Sequence, residues 1–304
     1  MVVKPFFWIG FHVVIFVVLG LDLGIFNRRE HRIPVKEALL WSLAWILLAL
    51  LFDLFIYLEY DRVKALEFLT GYVIEYSLSV DNIFVFILIF SFFSVDEKYQ
   101  HKILFWGIIG AIIMRGLFIL TGVALINRFH WIDLIFGAFL IYTGITMLVK
   151  KEVTVNPEKN FIVRFFREIL PVSEELHGSR FFITVDRKAY ATPLFIVLLI
   201  IESSDLIFAL DSIPAILAIS KDIFIVYTSN IFAILGLRSL YFAIAGVMGY
   251  FRFLKVGLAL VLAFVGLKMT GAFFSFEIPV IFSLLIIVTI LFVSVMASVI
   301  IKKK

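Results

Sequence analysis

The chain lacks cysteine and has unusually few charged residues. Among its 304 residues there is no Cys, and Asp, Glu, Lys and Arg together make up 16%, against about 25% in a typical soluble domain. The lack of cysteine excludes disulfide bonds, thiolate metal sites and cysteine nucleophiles. The low charge, with 63% hydrophobic residues and a mean hydropathy of +1.10, argues against a soluble enzyme, a nucleic-acid-binding protein or a disulfide scaffold.

The chain does contain a series of apolar runs long enough to cross a membrane, which takes about 20 residues per helix. The runs do not alternate as the strands of a barrel would. They cover residues 6–26, 36–58, 71–93, 103–126, 131–149, 192–217, 222–247, 253–272 and 279–301. The sequence therefore predicts an all-α, polytopic membrane protein with about nine transmembrane helices. The first is expected to be an uncleaved helix, because basic residues rather than a small-residue cleavage site follow it.

The distribution of Lys and Arg predicts the orientation, since cytoplasmic loops are enriched in both. Placing Arg28, Arg29 and Arg32 in the cytoplasm also places the C-terminal lysines 302–304 there, together with most of the 27 Lys and Arg residues. We therefore expect the N-terminus outside and the C-terminus in the cytoplasm.

One long connection, residues 150–191, is expected on the cytoplasmic side. Its first part has apolar residues and arginines at helical spacing and predicts an amphipathic helix on the membrane surface, formed by Phe161, Ile162, Arg164, Phe165, Phe166, Arg167 and Ile169. Residues 181–190 predict a hairpin or an extended segment. The connection is expected to tether two halves of the protein, with a gating role as the alternative.

Three short motifs recur in the same order at a nearly constant spacing. The matching segments are 79–84 (SVDNIF) with 203–208 (SSDLIF), 115–117 (RGL) with 238–240 (RSL), and 144–147 (GITM) with 266–269 (GLKM). They predict a duplicated three-helix unit, residues 71–149 and 192–272. Two N-terminal helices in 1–70 precede the units, and a helix with a basic tail in 273–304 follows. Because the unit starts are an odd number of spans apart, the units are inverted, as in many secondary transporters with a substrate site near the midplane.

Ionisable residues inside predicted membrane helices indicate a functional site, because each central carboxylate costs about 2.5–3.5 kcal/mol on insertion scales. Spans three and six carry five acids, and Arg115 and Arg238 balance only part of their charge. The excess negative charge suits a divalent cation. The candidate ligands are Glu75, Asp81, Asn82, Glu202, Asp205 and Asp211. Oxygen-only donors favour Mn²⁺, Mg²⁺ or Ca²⁺. Pro214 predicts an interruption or a kink of span six, either of which would turn Asp211 towards Asp205.

Two long motifs resemble the signatures of the TerC family. They are residues 68–82 (FLTGYVIEYSLSVDN), and residues 202–214 (ESSDLIFALDSIP) followed by 228–238 (TSNIFAILGLR). The resemblance extends from about residue 8 to about residue 300. It implies a bacterial inner-membrane protein of the LysE-type transporter superfamily, with a role in manganese export and metal homeostasis and a historical link to tellurium resistance. It also implies that the family's acidic positions fall on the six candidate ligands.

Together these features predict a transporter, not an enzyme, that moves Mn²⁺ out of the cytoplasm by alternating access and has no prosthetic group. Glu75 and Glu202 are expected to bind the ion or relay protons, and the arginines to neutralise carboxylates. Two alternatives are transport of Ca²⁺ or another cation, and a membrane factor that loads metal onto secreted proteins without transporting it. A second copy of the chain and the secretion machinery are open as partners. An intramembrane aspartyl protease or a di-iron oxidase is disfavoured, because Gly-x-Gly-Asp is absent and none of the predicted membrane spans carries Glu-x-x-His.

Overall fold

A computed structural model describes residues 5–21, 34–129, 131–149, 168, 171–173, 178–185, 188–245, 253–274, 276 and 278–301. The predicted amphipathic segment lies outside these residues, as do the basic residues at 28–32 and 302–304 and Asp22, an acid within the first predicted span.

Nine α-helices are found in the described part of the chain. They are α1 (Pro5–Leu21), α2 (Val35–Glu59), α3 (Arg62–Phe92), α4 (Glu97–Arg128), α5 (Ile132–Val149), α6 (Pro193–Leu217), α7 (Ile223–Ala245), α8 (Leu254–Phe273) and α9 (Val280–Ile300). Seven of these nine described helices are long and apolar enough to cross a membrane, and α1 and α5 are shorter apolar helices. The prediction of an all-α polytopic membrane protein is confirmed at this level.

Helix α2 illustrates why such a chain needs a lipid environment. Its buried residues recur at helical spacing and form one inward face: Ala38, Ser42, Trp45, Ala49 and Ile56. Its outward face is just as apolar, with Leu40 and Leu51 more than three-fifths exposed. Because a helix that is apolar on all sides exposes large hydrophobic residues wherever protein does not cover it, the uncovered face of α2 suits contact with lipid.

The two longest helices begin earlier than their apolar runs predicted. Helix α3 begins at Arg62 rather than near residue 71, because the carboxylate of Asp61 caps it by accepting the backbone N–H of Lys64 at 2.8 Å. Helix α4 begins at Glu97 rather than near residue 103, with Asp96 in the same capping role. Hydropathy alone misses such polar first turns.

The predicted interruption at Pro214 is wrong. Helix α6 is continuous from Pro193 to Leu217 and contains Pro214 in its last turns. A proline so near the end of a helix removes one hydrogen bond but leaves few turns beyond it to disrupt. The chain continues the hydrogen bonding past the proline, since Ala218 N–H donates to the Pro214 carbonyl at 3.0 Å.

The central helices pack across the two halves of the chain rather than within each half. Helix α3 lies against α6 and α7, and α4 also lies against α6 and α7. Helix α2 covers α7 and α3, and α9 covers α8 and α3. The four helices α3, α4, α6 and α7 therefore form the centre of the bundle.

Helices α5 and α8 form the most extensive helix pair in the described structure, and glycines allow their backbones to approach closely. A Cβ atom at Gly266 would lie 2.7 Å from the Gly137 carbonyl oxygen, and one at Gly144 would lie 2.7 Å from the Ala259 carbonyl oxygen. Neither contact involves a flexible side chain that could move away. A side chain at either glycine would therefore separate the two helices.

Apolar core residues fall into two clusters with a polar layer between them. On α3 the first cluster ends at Leu78 and the second begins at Ile83. On α6 the second cluster ends at Ile201 and the first resumes at Ala209. The residues between these limits include Asp81 and Asn82 on α3 and Glu202 and Asp205 on α6, whereas Glu75 and Asp211 lie beyond them.

The hairpin predicted for residues 181–190 is confirmed. Strands β1 (Phe182–Val185) and β2 (Lys188–Ala191) pair antiparallel, with Phe182 opposite Ala191. The ammonium group of Lys102, on α4, donates to the Ser179 carbonyl at 2.5 Å and lies over the ring of Phe181. These contacts hold the segment before the hairpin against α4.

Candidate cation site

A fully buried arginine on α4 contacts acidic side chains of two other central helices. Arg115 is on α4 and has no exposed surface. One of its Nη atoms donates to Glu75 Oε1 on α3, while its Nε and its other Nη atom donate to the two carboxylate oxygens of Asp205 on α6, at 3.3 and 3.0 Å. Arg115 thus joins one carboxylate from each predicted repeat.

Two asparagines donate to the same carboxylates. Asn82 Nδ2 donates to Asp205 Oδ1 at 3.2 Å, and Asn230 Nδ2 donates to Glu75 Oε2 at 3.1 Å. The side-chain oxygen of Asn230 also accepts from Arg115 at 3.2 Å. We call these five residues the carboxylate cluster: Glu75, Asn82, Arg115, Asp205 and Asn230.

Two serines adjoin the carboxylate cluster. Ser79 Oγ donates to Glu75 Oε1 at 3.4 Å, and Ser212 Oγ accepts from Arg115 at 3.3 Å. With these contacts the cluster links all four central helices, α3, α4, α6 and α7. A change in charge at this point is therefore able to alter how the two halves of the chain pack.

The carboxylate cluster carries more negative than positive charge when its ionisable groups are charged. Glu75 is fully buried and Asp205 is 4% exposed, and both are opposed by the single positive charge of Arg115. Because unbalanced charge is costly in a bundle surrounded by lipid, the cluster favours an additional cation or proton. Its carboxylate and amide oxygens are the ligand types that hard divalent cations prefer.

Asn230 was not among the residues selected from the sequence. It is fully buried in α7, like the neighbouring Thr228 and Ser229. Three adjacent polar residues inside an apolar span were a visible signal, and they fall in the second motif. The side chain of Asn230 is neutral and so does not stand out by charge, yet its amide contacts both Glu75 and Arg115.

Glu202 lies next to the carboxylate cluster and has no described contact with Arg115. It is three residues from Asp205 on α6, and its Oε2 atom is buried with no hydrogen-bond partner among the described residues. A cavity of about 20 Å³, lined in part by Glu202, Asp205 and Arg238, adjoins it, and this volume is about that needed by one water molecule. Glu202 thus brings a third carboxylate next to the cluster, with one oxygen that has no hydrogen bond among the described residues.

Gly110 provides the surface on which the Glu202 carboxylate rests. A Cβ atom at Gly110 would come within 2.6 Å of Glu202 Cδ, so the carboxylate fits only because position 110 has no side chain. One turn earlier, a Cβ atom at Gly107 would make ordinary contacts of 3.6 Å with Ile201 and 3.7 Å with Glu202.

Among the other acids and arginines of the predicted spans, Asp211, Arg238 and Asp53 have described side chains. Asp211 accepts a hydrogen bond from Thr143 on α5 at 3.2 Å, so this contact joins α6 to α5 rather than to α3 or α4. Arg238 lines the cavity beside Glu202. The side chain of Asp81 lies outside what the structure describes. Asp53, on α2, has one buried carboxylate oxygen without a hydrogen bond in the described residues.

The five predicted ligands whose side chains the structure describes do not form one compact metal-binding group. No set of three or more His, Asp or Glu side chains in the described part of the chain is close enough to hold a metal ion. The structure instead joins Glu75, Asp205 and Asn82 through Arg115. A cation in this cluster would have to use amide oxygens, water or rearranged acids in addition to the two carboxylates.

A helical bundle with apolar outer faces and a buried ionic cluster defines a class: polytopic membrane proteins with an intramembrane polar site. Comparison with known sequences identifies the particular family. The chain matches the family described as "Integral membrane protein TerC family" over residues 60–304. The chain belongs to the TerC family, as its two motifs indicated.

Several named bacterial proteins are similar to this chain along nearly its whole length. "Uncharacterized membrane protein STKORF319" of Myxococcus xanthus is 47% identical, covering 98% of this chain and 93% of that protein. "Putative membrane-bound redox modulator Alx" of Escherichia coli (strain K12) is 45% identical, covering 94% of this chain and 92% of that protein. "Uncharacterized membrane protein" of Rickettsia bellii is 42% identical, covering 96% of this chain and 97% of that protein. No solved structure matches.

Proposed function

We propose that this protein exports Mn²⁺ from the cytoplasm across the bacterial inner membrane by alternating access. The carboxylate cluster is the central cation site, and Glu202 is a proton-exchanging group beside it. The observation that carries the proposal is the burial of two carboxylates, one from each half of the chain, against a single guanidinium. Such a site tolerates, and attracts, a further positive charge.

The choice of a hard cation rests on the donors. The carboxylate cluster offers carboxylate and amide oxygens, and the chain has no cysteine to supply a thiolate. These donors favour Mn²⁺, Mg²⁺ and Ca²⁺ over Cu⁺. Mn²⁺ is preferred among the three because of the family resemblance.

Alternating access is supported by the pattern of contacts. In the proposed inverted repeat, Gly144 corresponds to Gly266, and the same spacing makes Gly137 correspond to Ala259. When each residue is replaced by its counterpart in the other repeat, the close contact of Gly137 with Gly266 becomes that of Ala259 with Gly144, which is also observed. In the same repeat α3 corresponds to α6 and α4 to α7, so the packing of α3 against α7 corresponds to that of α6 against α4, and both are observed. Both relations are expected of a two-fold axis between repeats.

The membrane arrangement that we propose has nine spans, with the N-terminus outside and the C-terminus in the cytoplasm. Helices α1 and α5 are included as spans because helices of about 17–18 residues reach the lower limit for crossing a bilayer. This arrangement places the hairpin on the cytoplasmic side and the first residues of α3 on the outer side. It also leaves the basic residues mainly in the cytoplasm.

The name "redox modulator" of the relatives suggests a different role, and the composition limits how this chain could perform it. With no cysteine, the protein cannot exchange electrons through its own thiols and disulfides. A cation exporter nevertheless alters the metal supply of other enzymes, so a cellular redox effect is compatible with our proposal.

The proposal is tested by flux in liposomes that contain the purified full-length protein. We expect Mn²⁺ to enter a fluorophore-loaded lumen faster than Mg²⁺ or Ca²⁺, and an opposing pH gradient to change the rate if protons are exchanged. Liposomes with the Glu75→Gln variant should show only background flux, whereas Glu59→Gln, an exposed glutamate at the end of α2, should match the wild type. Wild-type flux no faster than that of empty liposomes would contradict the proposal and favour a metal-loading factor.

Replacement of Gly110 tests whether the position of Glu202 matters. Gly110→Ala pushes the Glu202 carboxylate from its place without changing any charge, and we expect Mn²⁺ flux to fall by about tenfold. Gly107→Ala, one turn away and with room for a methyl group, is the matched control and should retain flux. Equal flux in both variants would show that the position of Glu202 is unimportant.

A further inference from the structure

Arg115 directs its guanidinium group at the same side chains that would bind the cation. Its three nitrogens donate to Glu75, Asp205, Ser212 and Asn230, and none of its surface is exposed. A guanidinium that forks onto one carboxylate and also reaches a second is held by both charge and geometry.

All four carboxylate oxygens of the two acids already accept hydrogen bonds. Both oxygens of Asp205 accept from Arg115, and one of them also accepts from Asn82. One oxygen of Glu75 accepts from Arg115 and the other accepts from Asn230. Three of these four oxygens accept from Arg115, so a metal ion that binds both acids competes with the guanidinium for them.

We propose that Arg115 is a tethered competitor of the transported cation, so that guanidinium and divalent metal occupy the two carboxylates in turn. This inference rests on the proposed export function. Metal binding releases the guanidinium from Glu75 and Asp205, and the guanidinium returns as the metal leaves. The two acids are then never buried without a positive partner, which removes the cost of a bare pair of carboxylates in the empty transporter.

The competing interpretation is that Arg115 only fastens the four central helices and supports the binding site. The two accounts predict opposite signs for metal affinity. If Arg115 competes, metal binds only to the fraction of protein in which the carboxylates are free of the guanidinium, and the apparent metal affinity is reduced accordingly. A substitution that weakens the interaction of Arg115 with the carboxylates then tightens metal binding. If Arg115 supports the site, weakening its hold loosens metal binding.

The test is Arg115→Lys, which keeps the charge but loses the planar fork. Mn²⁺ binding to the purified full-length protein is measured by the loss of the free-ion electron paramagnetic resonance signal. We expect binding about tenfold tighter than in the wild type, with slower flux because metal release is no longer assisted. Arg128→Lys, the same substitution at the exposed end of α4, should leave both quantities unchanged.

Ser212→Ala provides a second variant if Arg115→Lys does not fold. It removes one hydrogen bond from Arg115 and the contact of Ser212 with Glu75, and it leaves both carboxylates in place. We expect Mn²⁺ binding about fivefold tighter, whereas a serine that acted as a metal ligand would give weaker binding on replacement. Unchanged or weaker affinity in the folded variants overturns the competitor role.

The outcomes for this inference and for the export function differ. If the wild type binds and transports Mn²⁺ but neither variant binds it more tightly, the competitor role fails and the export function stands. If the wild type neither binds nor transports Mn²⁺, both are wrong.

Discussion

Asp205→Asn is expected to abolish Mn²⁺ transport while the protein still folds and inserts into the membrane. The wild-type cluster has two carboxylates against one guanidinium, and the variant has one carboxylate, Glu75, against the same Arg115. The excess negative charge that attracts a cation is then gone. The internal charge becomes balanced, which offsets the loss of one carboxylate oxygen as an acceptor for Arg115 or Asn82.

The expected size of this effect follows from Coulomb's law. Two unit charges 4 Å apart at an effective dielectric constant of about 20 interact by about 4 kcal/mol, and such a loss corresponds to about a thousandfold in affinity. The measurement is flux in liposomes, with the amount of folded protein checked by size-exclusion chromatography. Asp61→Asn is the matched control, because Asp61 is exposed and asparagine caps a helix as well as aspartate does. Flux near the wild-type level in Asp205→Asn would remove this residue from the site.

Arg115→Met is expected to destabilise the protein severely. The substitution leaves Glu75 and Asp205 buried side by side with no positive partner, and removing one member of a buried ion pair costs about 3–5 kcal/mol. We expect a large fall in the thermal midpoint of the detergent-solubilised protein and little accumulation in the membrane. The cause is the uncompensated charge rather than a lost volume, since methionine fills much of the same space.

The charge-based cause is checked by a compensating variant. Adding Glu75→Gln and Asp205→Asn to Arg115→Met removes the orphaned charges, and most of the stability should return although the site is then without charge. Stability that remained low in the triple variant would indicate that Arg115 stabilises the bundle through packing and hydrogen bonds rather than through charge.

The sequence was sufficient to predict the helices because hydropathy is a local property of the chain. Runs such as 36–58 and 279–301 coincide with α2 and α9 to within a residue or so at each end. The early starts of α3 and α4 were missed because capping by Asp61 and Asp96 extends a helix into polar sequence. The effect of Pro214 was overestimated because a proline is far less disruptive near the end of a helix than in its middle.

The site was partly predictable for a related reason. Charges in apolar spans directed attention to Glu75, Arg115 and Asp205, and the structure brings them together. The sequence could not show which neutral side chains complete their hydrogen bonds, because this depends on which helices face each other. Asn230 on α7 and Gly110 on α4 are examples, and both become meaningful only once α7 packs against α3 and α4 against α6.

The most direct test of the central claim is to locate Mn²⁺ in the protein itself. Crystals of the full chain grown with Mn²⁺ are measured at the manganese absorption edge, and the anomalous difference map is calculated. We predict a peak within bonding distance of carboxylate oxygens of Glu75 and Asp205, with the guanidinium of Arg115 moved away from them; crystals of Asp205→Asn should lack the peak. No peak at the carboxylate cluster in the wild type, with Arg115 still holding both acids, would contradict our account.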